Sequence, residues 1–372
     1  MKILQIIYES LGSPFGFGGA GIRAYETYKR LKERHDITLL CMRYPGAEDG
    51  EIEGLKHIFL GTESRSLTSS VMAYTLRTRK FVRENGDSFD VIVENFLPPT
   101  PFLSQYLTKT PVILQIQDFW GRHTFKRYPV RFAFPMFLVE KFYPKLYKQI
   151  MFVSDITKER FNLSARSIIV PNGIDENFLQ ANEKNDNSIL FISSIDRYKK
   201  GLDLLLKAFS QISPLFSNVR LTIAGTGRDF DVIRSEVDNL PVDIRENIEL
   251  PGWISGEEKT KAISRALFTV LPSRHESSPI SILESAACGK PVIVSDIPEL
   301  AFVTREGFGI SFPSGSADGL SEKIRLLLTE SEMREASGKR GREYASQFIW
   351  DNIAVRFENV LRDCHERKRQ HV

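Results

Sequence analysis

The sequence predicts an α/β fold built from two doubly wound, parallel-sheet halves. Three observations point there. A chain of 372 residues exceeds what one hydrophobic core usually organises. Short apolar runs alternate with longer amphipathic stretches, the pattern of buried parallel strands joined by helical crossovers. Near the middle of the chain that pattern stops and then starts again.

In the first half, the apolar runs 3–8, 37–41, 91–94 and 112–116 read as strands. The polar run Gln180, Asn182, Glu183, Lys184, Asn185, Asp186 and Asn187 reads as a linker, which sets a first Rossmann-like domain at 1–178. The runs 189–193, 220–224, 268–271 and 291–295 repeat the strand pattern. Between them, 202–211, 230–239, 257–266 and 281–288 carry apolar residues at helical spacing. A second Rossmann-like domain is therefore expected at 186–346, with an amphipathic helix and charged tail in 347–372.

Apolar residues at 42% and charged residues at 26% match soluble globular proteins and exclude disorder and collagen-like repeats. The net charge of +3 is too small to imply nucleic-acid binding. Cys41, Cys288 and Cys364 fit neither a disulfide framework nor zinc-ligand spacing, so a reducing, cytoplasmic setting is expected. The apolar start runs directly into a glycine-rich stretch and reads as a first strand rather than a signal peptide. No apolar run approaches the roughly 20 residues of a membrane-spanning helix, so any membrane contact is expected to be peripheral. His35, His57, His123, His275, His365 and His371 do not pair at ligand spacings, and no metal or cofactor is expected.

The most informative stretch runs from Leu271 to Val292 and reads as strand, loop and helix. Its loop carries Glu276, followed by Ser277, Ser278, Pro279 and Ile280 where the helix begins. Unpaired backbone N–H groups and the dipole at such a start favour an anion such as phosphate. Glu284, about one turn inside the helix, suits two neighbouring hydroxyls such as those of a ribose. The plain alternative makes Glu276 a helix cap and Glu284 a surface charge. Lys199 and Lys200, with Arg197 nearby, are cations suited to a diphosphate leaving group; the plain alternative is a solvated helix start. Gly18, Gly19 and Gly21 let the backbone pass close to a ligand. They lack the Gly-x-Gly-x-x-Gly spacing and following acidic residue of a dinucleotide dehydrogenase, since Cys41-Met42-Arg43 follows the second strand.

The 271–292 stretch resembles the signature of retaining glycosyltransferase family 4, on the two-domain GT-B fold. Gly18-Gly19-Ala20-Gly21, Val170-Pro171-Asn172-Gly173-Ile174-Asp175 and Lys199-Lys200-Gly201 agree with it in order and separation, as does Trp350-Asp351 before the last helix. The resemblance implies a cleft between the two domains that holds a UDP- or GDP-linked sugar, and transfer of a hexose-type sugar to a hydroxyl acceptor. It implies that the last helix crosses back onto the first domain. It also implies that Gly225 and Gly227 line the nucleotide side and that Trp253 and Ile254 offer backbone groups to the base, although Trp253 reads equally as core. Two positions depart from the pattern: Ser194 stands where many members have arginine, and Gln117 where many have histidine. Gln117 can hydrogen-bond a sugar hydroxyl but cannot take up a proton, so the departing phosphate is the expected proton acceptor.

Gln117, Asp118 and Asn95 are the expected face where acceptor and sugar meet, with Lys200 and Glu276 at the donor. The segment 120–148 mixes Arg122, Lys126, Arg127, Arg131, Lys141, Lys145 and Lys148 with Phe125, Phe132, Phe134, Phe137, Phe142 and Tyr143. It reads either as helices packed on the first domain or as a surface that rests on an anionic membrane and presents a lipid-linked acceptor. Two rival functions remain open: a sugar-nucleotide 2-epimerase, against which the absent histidine counts, and a non-catalytic nucleotide-sugar binding module.

Overall fold

The computed structural model describes residues 1–14, 17–64, 66–161, 163 and 166–370, without the side chains of Arg127, Lys368, Arg369 and Gln370. Those four side chains and His371 lie outside the described part. The chain forms two compact units: Met1–Asn172 together with Trp350–Val372, and Gly173–Ile349.

The first unit holds strands β1 (Lys2–Ile6), β2 (Asp36–Met42), β3 (Gly50–Ile52), β4 (Leu55–Leu60), β5 (Val91–Asn95), β6 (Val112–Ile116), β7 (Gln149–Phe152) and β8 (Arg166–Ile169). They form one sheet in the order β3-β4-β2-β1-β5-β6-β7-β8, parallel except for the β3–β4 hairpin. The central strands β5 and β6 are buried along their whole length, which is why they read as unbroken apolar runs instead of alternating ones. Chain order reverses between β1 and β5, where Ile3 pairs with Ile37 on one side and Val91 on the other.

The second unit repeats the plan with β9 (Ser188–Ile192), β10 (Arg220–Ala224), β11 (Ile248–Gly252), β12 (Phe268–Leu271), β13 (Val292–Ser295) and β14 (Gly309–Phe312). Its order is β11-β10-β9-β12-β13-β14, all parallel, and the reversal lies between β9 and β12. In open α/β sheets, ligands bind beyond the carboxyl ends of the strands at such a reversal. The loops after β9 and β12 and those after β1 and β5 are therefore the places to search.

The division between units falls at Asn172 and Gly173, earlier than the expected 178–186. Ile174 and Phe178 explain the shift, because both are buried in the core of the second unit. The polar run 180–187 is then a loop within that unit, tied down by Lys290 Nζ donating to Asn185 and Arg342 to the Ala181 carbonyl. At the far end, Ile349 bridges Ile174, so the last segment of the first unit starts at Trp350 and not at 347. From Trp350 onward the helix Trp350–Gln370 buries Ile353, Ala354, Phe357 and Leu361 in the first unit. Phe357 meets Tyr28 edge to face at 5.6 Å, and Glu358 accepts a 2.9 Å bond from His35.

Candidate functional site

The second unit carries its charged groups where chain order reverses. After β9, residues 193–201 loop into the helix Leu202–Ile212. Gly201 sits in the left-handed region at φ +68°, and a Cβ there would stand 2.0 Å from the Pro272 carbonyl oxygen, so only glycine lets this loop close against the loop after β12. That closure brings the buried Lys200 to Glu276: its Nζ donates to Oε1 at 2.5 Å, and the Ser273 hydroxyl donates to the same oxygen at 2.7 Å. Arg274 locks the two loops together with 2.7 Å bonds to both Asp203 oxygens and a bond to the Tyr198 carbonyl. Such a fork-to-fork pair fixes geometry as well as charge.

Three residues beyond Glu276 comes Pro279, the N-cap of the helix Ile280–Ala287, which has no side-chain cap. Glu276 Oε1 is instead taken up by Lys200 and Ser273. Glu284 is buried, which removes the surface-charge alternative for it. Its Oε1 accepts from Lys259 Nζ at 2.6 Å, while its Oε2 is buried without a hydrogen-bond partner. A buried, unfilled acceptor is costly unless something donates to it.

Other expected donor residues take different places. The Arg197 guanidinium donates to Glu236 at 2.6 Å, on the helix Phe230–Asp238. Lys199 is half-buried in the same loop, its amide bonded to Asp196 and its carbonyl accepting from Arg274. The α-carbons of Gly225 and Gly227 face protein: a Cβ would stand 1.9 Å from the Ser193 carbonyl oxygen and 2.4 Å from that of Ile195. These two glycines let the loop after β9 pack down against them. Trp253 is about half exposed, so it is not core, whereas the Ile254 side chain is buried in the core of its unit. Ser277 and Ser278 are half-buried just before the helix start, and Ile280 is buried.

In the first unit the reversal between β1 and β5 is furnished differently. The glycine loop does open a helix, Gly19–Lys29, but the anion there is the protein's own: Glu9 Oε2 accepts from the Gly18 and Gly21 amides at 2.9 and 2.7 Å. Burial pushes the Glu9 carboxyl above its ordinary pKa even though these amides pull it down. Gly18 and Gly21 thus hold a side chain where a phosphate approach is expected, and Gly19 opens the helix between them. At the ends of β5 and β6, Asn95 Oδ1 accepts from Gln117 at 3.0 Å and Gln115 at 3.2 Å, which joins two of the expected acceptor-face residues. Asp118 follows, its carboxylate accepting from the Phe119 amide at 2.9 Å, while Arg122 is exposed on the turn Gly121–His123.

Glu9, Lys259 and Arg274 were assigned no role from sequence. Arg274 lies inside the 271–292 stretch and is legible there as a cation; Lys259 is one of two lysines on an amphipathic helix, and Glu9 follows a strand without any motif. Among the described residues, no group of three or more His, Cys, Asp or Glu is placed to hold a metal ion, and no helix is long and apolar enough to cross a membrane.

Two doubly wound parallel-sheet units, one of them with the Lys200–Glu276 ion pair and a helix start at its reversal, are the layout of a GT-B fold. Comparison with known proteins agrees with that class. The Glycosyltransferase Family 4 model matches residues 17–178, and the Glycosyl transferases group 1 model matches residues 174–344. An uncharacterized glycosyltransferase of Methanocaldococcus jannaschii is 25% identical over 379 residues, covering 98% of this chain and all of that protein. The phosphatidyl-myo-inositol mannosyltransferase of Mycobacterium leprae is 27% identical, over 56% of this chain and 57% of its own length. Among solved structures, sucrose-phosphate synthase from Thermosynechococcus elongatus superposes with a TM-score of 0.81 at 19% identity, covering 97% of this chain and 98% of that one. HepE of Anabaena, solved with UDP-glucose, gives 0.76 at 15% identity, covering 98% and 100%. The chain belongs to the glycosyltransferases of family 4 type, with the GT-B fold.

Proposed function

We propose that this glycosyltransferase moves a hexose-type sugar from a UDP- or GDP-linked donor to a hydroxyl acceptor with retention of configuration. The observation that carries the reading is the unfilled, buried Glu284 Oε2 inside the same helix whose start follows the Lys200–Glu276 pair. A ribose hydroxyl donates to Glu284, and the diphosphate lies over the amides at Ile280 with Lys200 and Lys199 as counter-charges. Lys259 holds the other Glu284 oxygen and so aims the free one.

In the transfer step the bond between the anomeric carbon and the diphosphate oxygen breaks, and an acceptor hydroxyl oxygen bonds to that carbon on the same face. The hydroxyl proton passes to the departing phosphate. Negative charge grows on the leaving group, where Lys200 and the helix start stabilise it more than in the ground state. Asn95, Gln117 and Asp118 are assigned to sugar and acceptor hydroxyls. The reading needs no metal, since fixed cations and amides meet the charge.

A panel of nucleotides and nucleotide sugars tests it by thermal shift, because a ligand that binds only the folded protein raises its melting temperature. UDP or GDP and one of their sugars should raise it, with unchanged behaviour in chelator. Donor turnover must then depend on an added acceptor. Conversion of UDP-N-acetylglucosamine alone to its epimer would replace transfer by epimerisation, and intact donor with every acceptor would leave a binding protein.

A further inference from the structure

The helix Val130–Phe142 of the first unit is built almost entirely of apolar residues, its charges being Arg131, Glu140 and Lys141 alone. It nevertheless buries only Ala133 and Glu140. The comparison with Leu202–Ile212 is direct: that helix buries Leu202, Leu204, Leu205, Leu206, Ala208, Phe209 and Ile212. Val130 is 68% exposed, Phe134 55% and Phe142 51%, with Phe132 and Leu138 exposed as well. The reading of 120–148 as helices packed on their domain therefore fails for this helix.

The exposure is held in place. The Trp120 and Gly121 amides each donate to Glu140 at 2.6 Å, which ties the helix to the turn before it. The turn after it is pinned by Tyr143 and Tyr147, whose hydroxyls donate to the buried Glu94 at 2.5 and 2.7 Å. An anchored helix that turns phenylalanines outward leaves an apolar face in need of a cover.

Charge selects the cover. Glu140 is the one acidic residue from Phe119 to Lys148, and it is buried under those amides. Arg122, Lys126, Arg131, Lys141, Lys145 and Lys148 are all exposed. Several lie beside aromatic rings: Arg131 is 4.9 Å from the Phe132 ring centre, and Lys141 and Lys145 are 5.7 and 5.6 Å from that of Phe142. Cationic heads level with apolar side chains match an anionic headgroup layer above acyl chains. A second copy of the chain would bring the same cations face to face, which opposes pairing through this surface.

We infer that the helix Val130–Phe142 docks the first unit on an anionic lipid bilayer, its phenylalanines in the acyl boundary and its lysines and arginines among the headgroups. The inference does not depend on the donor reading, because binding is measured without nucleotide. The full chain is sedimented with vesicles of phosphatidylcholine, with and without phosphatidylglycerol. Binding should rise at least tenfold with phosphatidylglycerol and fall with added salt. Phe134→Ser with Phe142→Ser should reduce it at least tenfold, and Arg131→Glu with Lys141→Glu should abolish the preference for phosphatidylglycerol. Melting temperature and the nucleotide-induced shift should stay at parent values in both variants. Absence of binding to either vesicle would overturn the inference, as would binding that neither variant weakens, or a dimer in light scattering that the phenylalanine variant dissolves. If the phenylalanine variant fails to fold, the charge variant carries the test alone.

Discussion

The two chain reversals share one topology and differ in what fills them. In the second unit, the groups after β9 and β12 are a buried cation, a helix start without a side-chain cap and a carboxylate with one oxygen unfilled. In the first unit, the helix start after β1 holds the carboxylate of Glu9. Glu9 thus takes up the amides that open the helix after β1, while in the second unit Lys200 pairs with Glu276 and Glu284 keeps one oxygen without a partner. On the proposed reading, the diphosphate belongs to the second unit, and Asn95 and Gln117 of the first serve hydroxyl-bearing groups.

The largest effect that sharpens the comparison is expected from Lys200→Ala, which removes the fixed cation. kcat/KM for the donor should fall about 100-fold or more, by the size of effects seen when one preorganised charge partner is lost. Glu276 keeps the Ser273 hydroxyl, so the variant should still fold, with a lower melting temperature for the unpaired buried carboxylate. Normal turnover would break the assignment.

Next comes the ribose group. Glu284→Ala should weaken nucleotide binding about tenfold or more, the cost of a charge-assisted hydrogen bond. Lys259→Met leaves Glu284 in place but without its partner, and should weaken the same binding by a smaller factor while affecting all nucleotides alike. Isothermal titration with UDP and GDP reads both, and equal affinities in parent and Glu284→Ala would move the ribose elsewhere.

The first unit supplies the opposite expectation. Glu9→Ala strips two amides of their acceptor, so unfolding free energy should fall by about 1–3 kcal/mol in denaturant titration. Nucleotide affinity should stay at the parent value. A loss of nucleotide affinity equal to that of Lys200→Ala would mean that the two reversals share the phosphates after all.

The smallest effect concerns the terminal helix. Burial holds the His35 imidazole below its ordinary pKa in spite of Glu358. Burial raises Glu358, but hydrogen bonds from Arg362 and His35 outweigh it and hold that carboxyl low. Both folded pKa values are depressed, so both groups bind more protons when unfolded, and their stability is lost as pH falls. The His35 part disappears first, from about pH 6.5 downward, and the Glu358 part below about pH 4.5. His35→Gln should therefore flatten the fall in melting temperature between about pH 7 and about pH 5. A variant with the parent's pH profile would remove His35 from that account.

Much of this was legible in the sequence, for reasons tied to particular residues. The fully buried runs of β1, β5, β6, β9 and β12 announce themselves by continuous apolar stretches, and the repeat of that pattern gives two doubly wound units. Strands β3, β4, β7, β8, β11 and β14 escape such a reading, because they are short or alternate, as Leu55–Leu60 does, or carry a proline, as Pro251 does in β11. Lys200, Glu276 and Glu284 were legible because loop, helix start and carboxylate lie within one stretch or beside a glycine that must be glycine. Glu9 was not, since its partners are backbone amides that leave no mark on side-chain pattern. Arg197 misled for a related reason: its partner Glu236 lies 39 residues away, and only the fold brings them together.

The most direct measurement is a crystal structure of the full chain with UDP or GDP bound. The diphosphate should lie against the start of the helix Ile280–Ala287 with Lys200 within hydrogen-bond distance, and a ribose hydroxyl should donate to Glu284 Oε2. A diphosphate seated instead on the Gly18–Gly21 amides, with Glu9 displaced, would contradict the account.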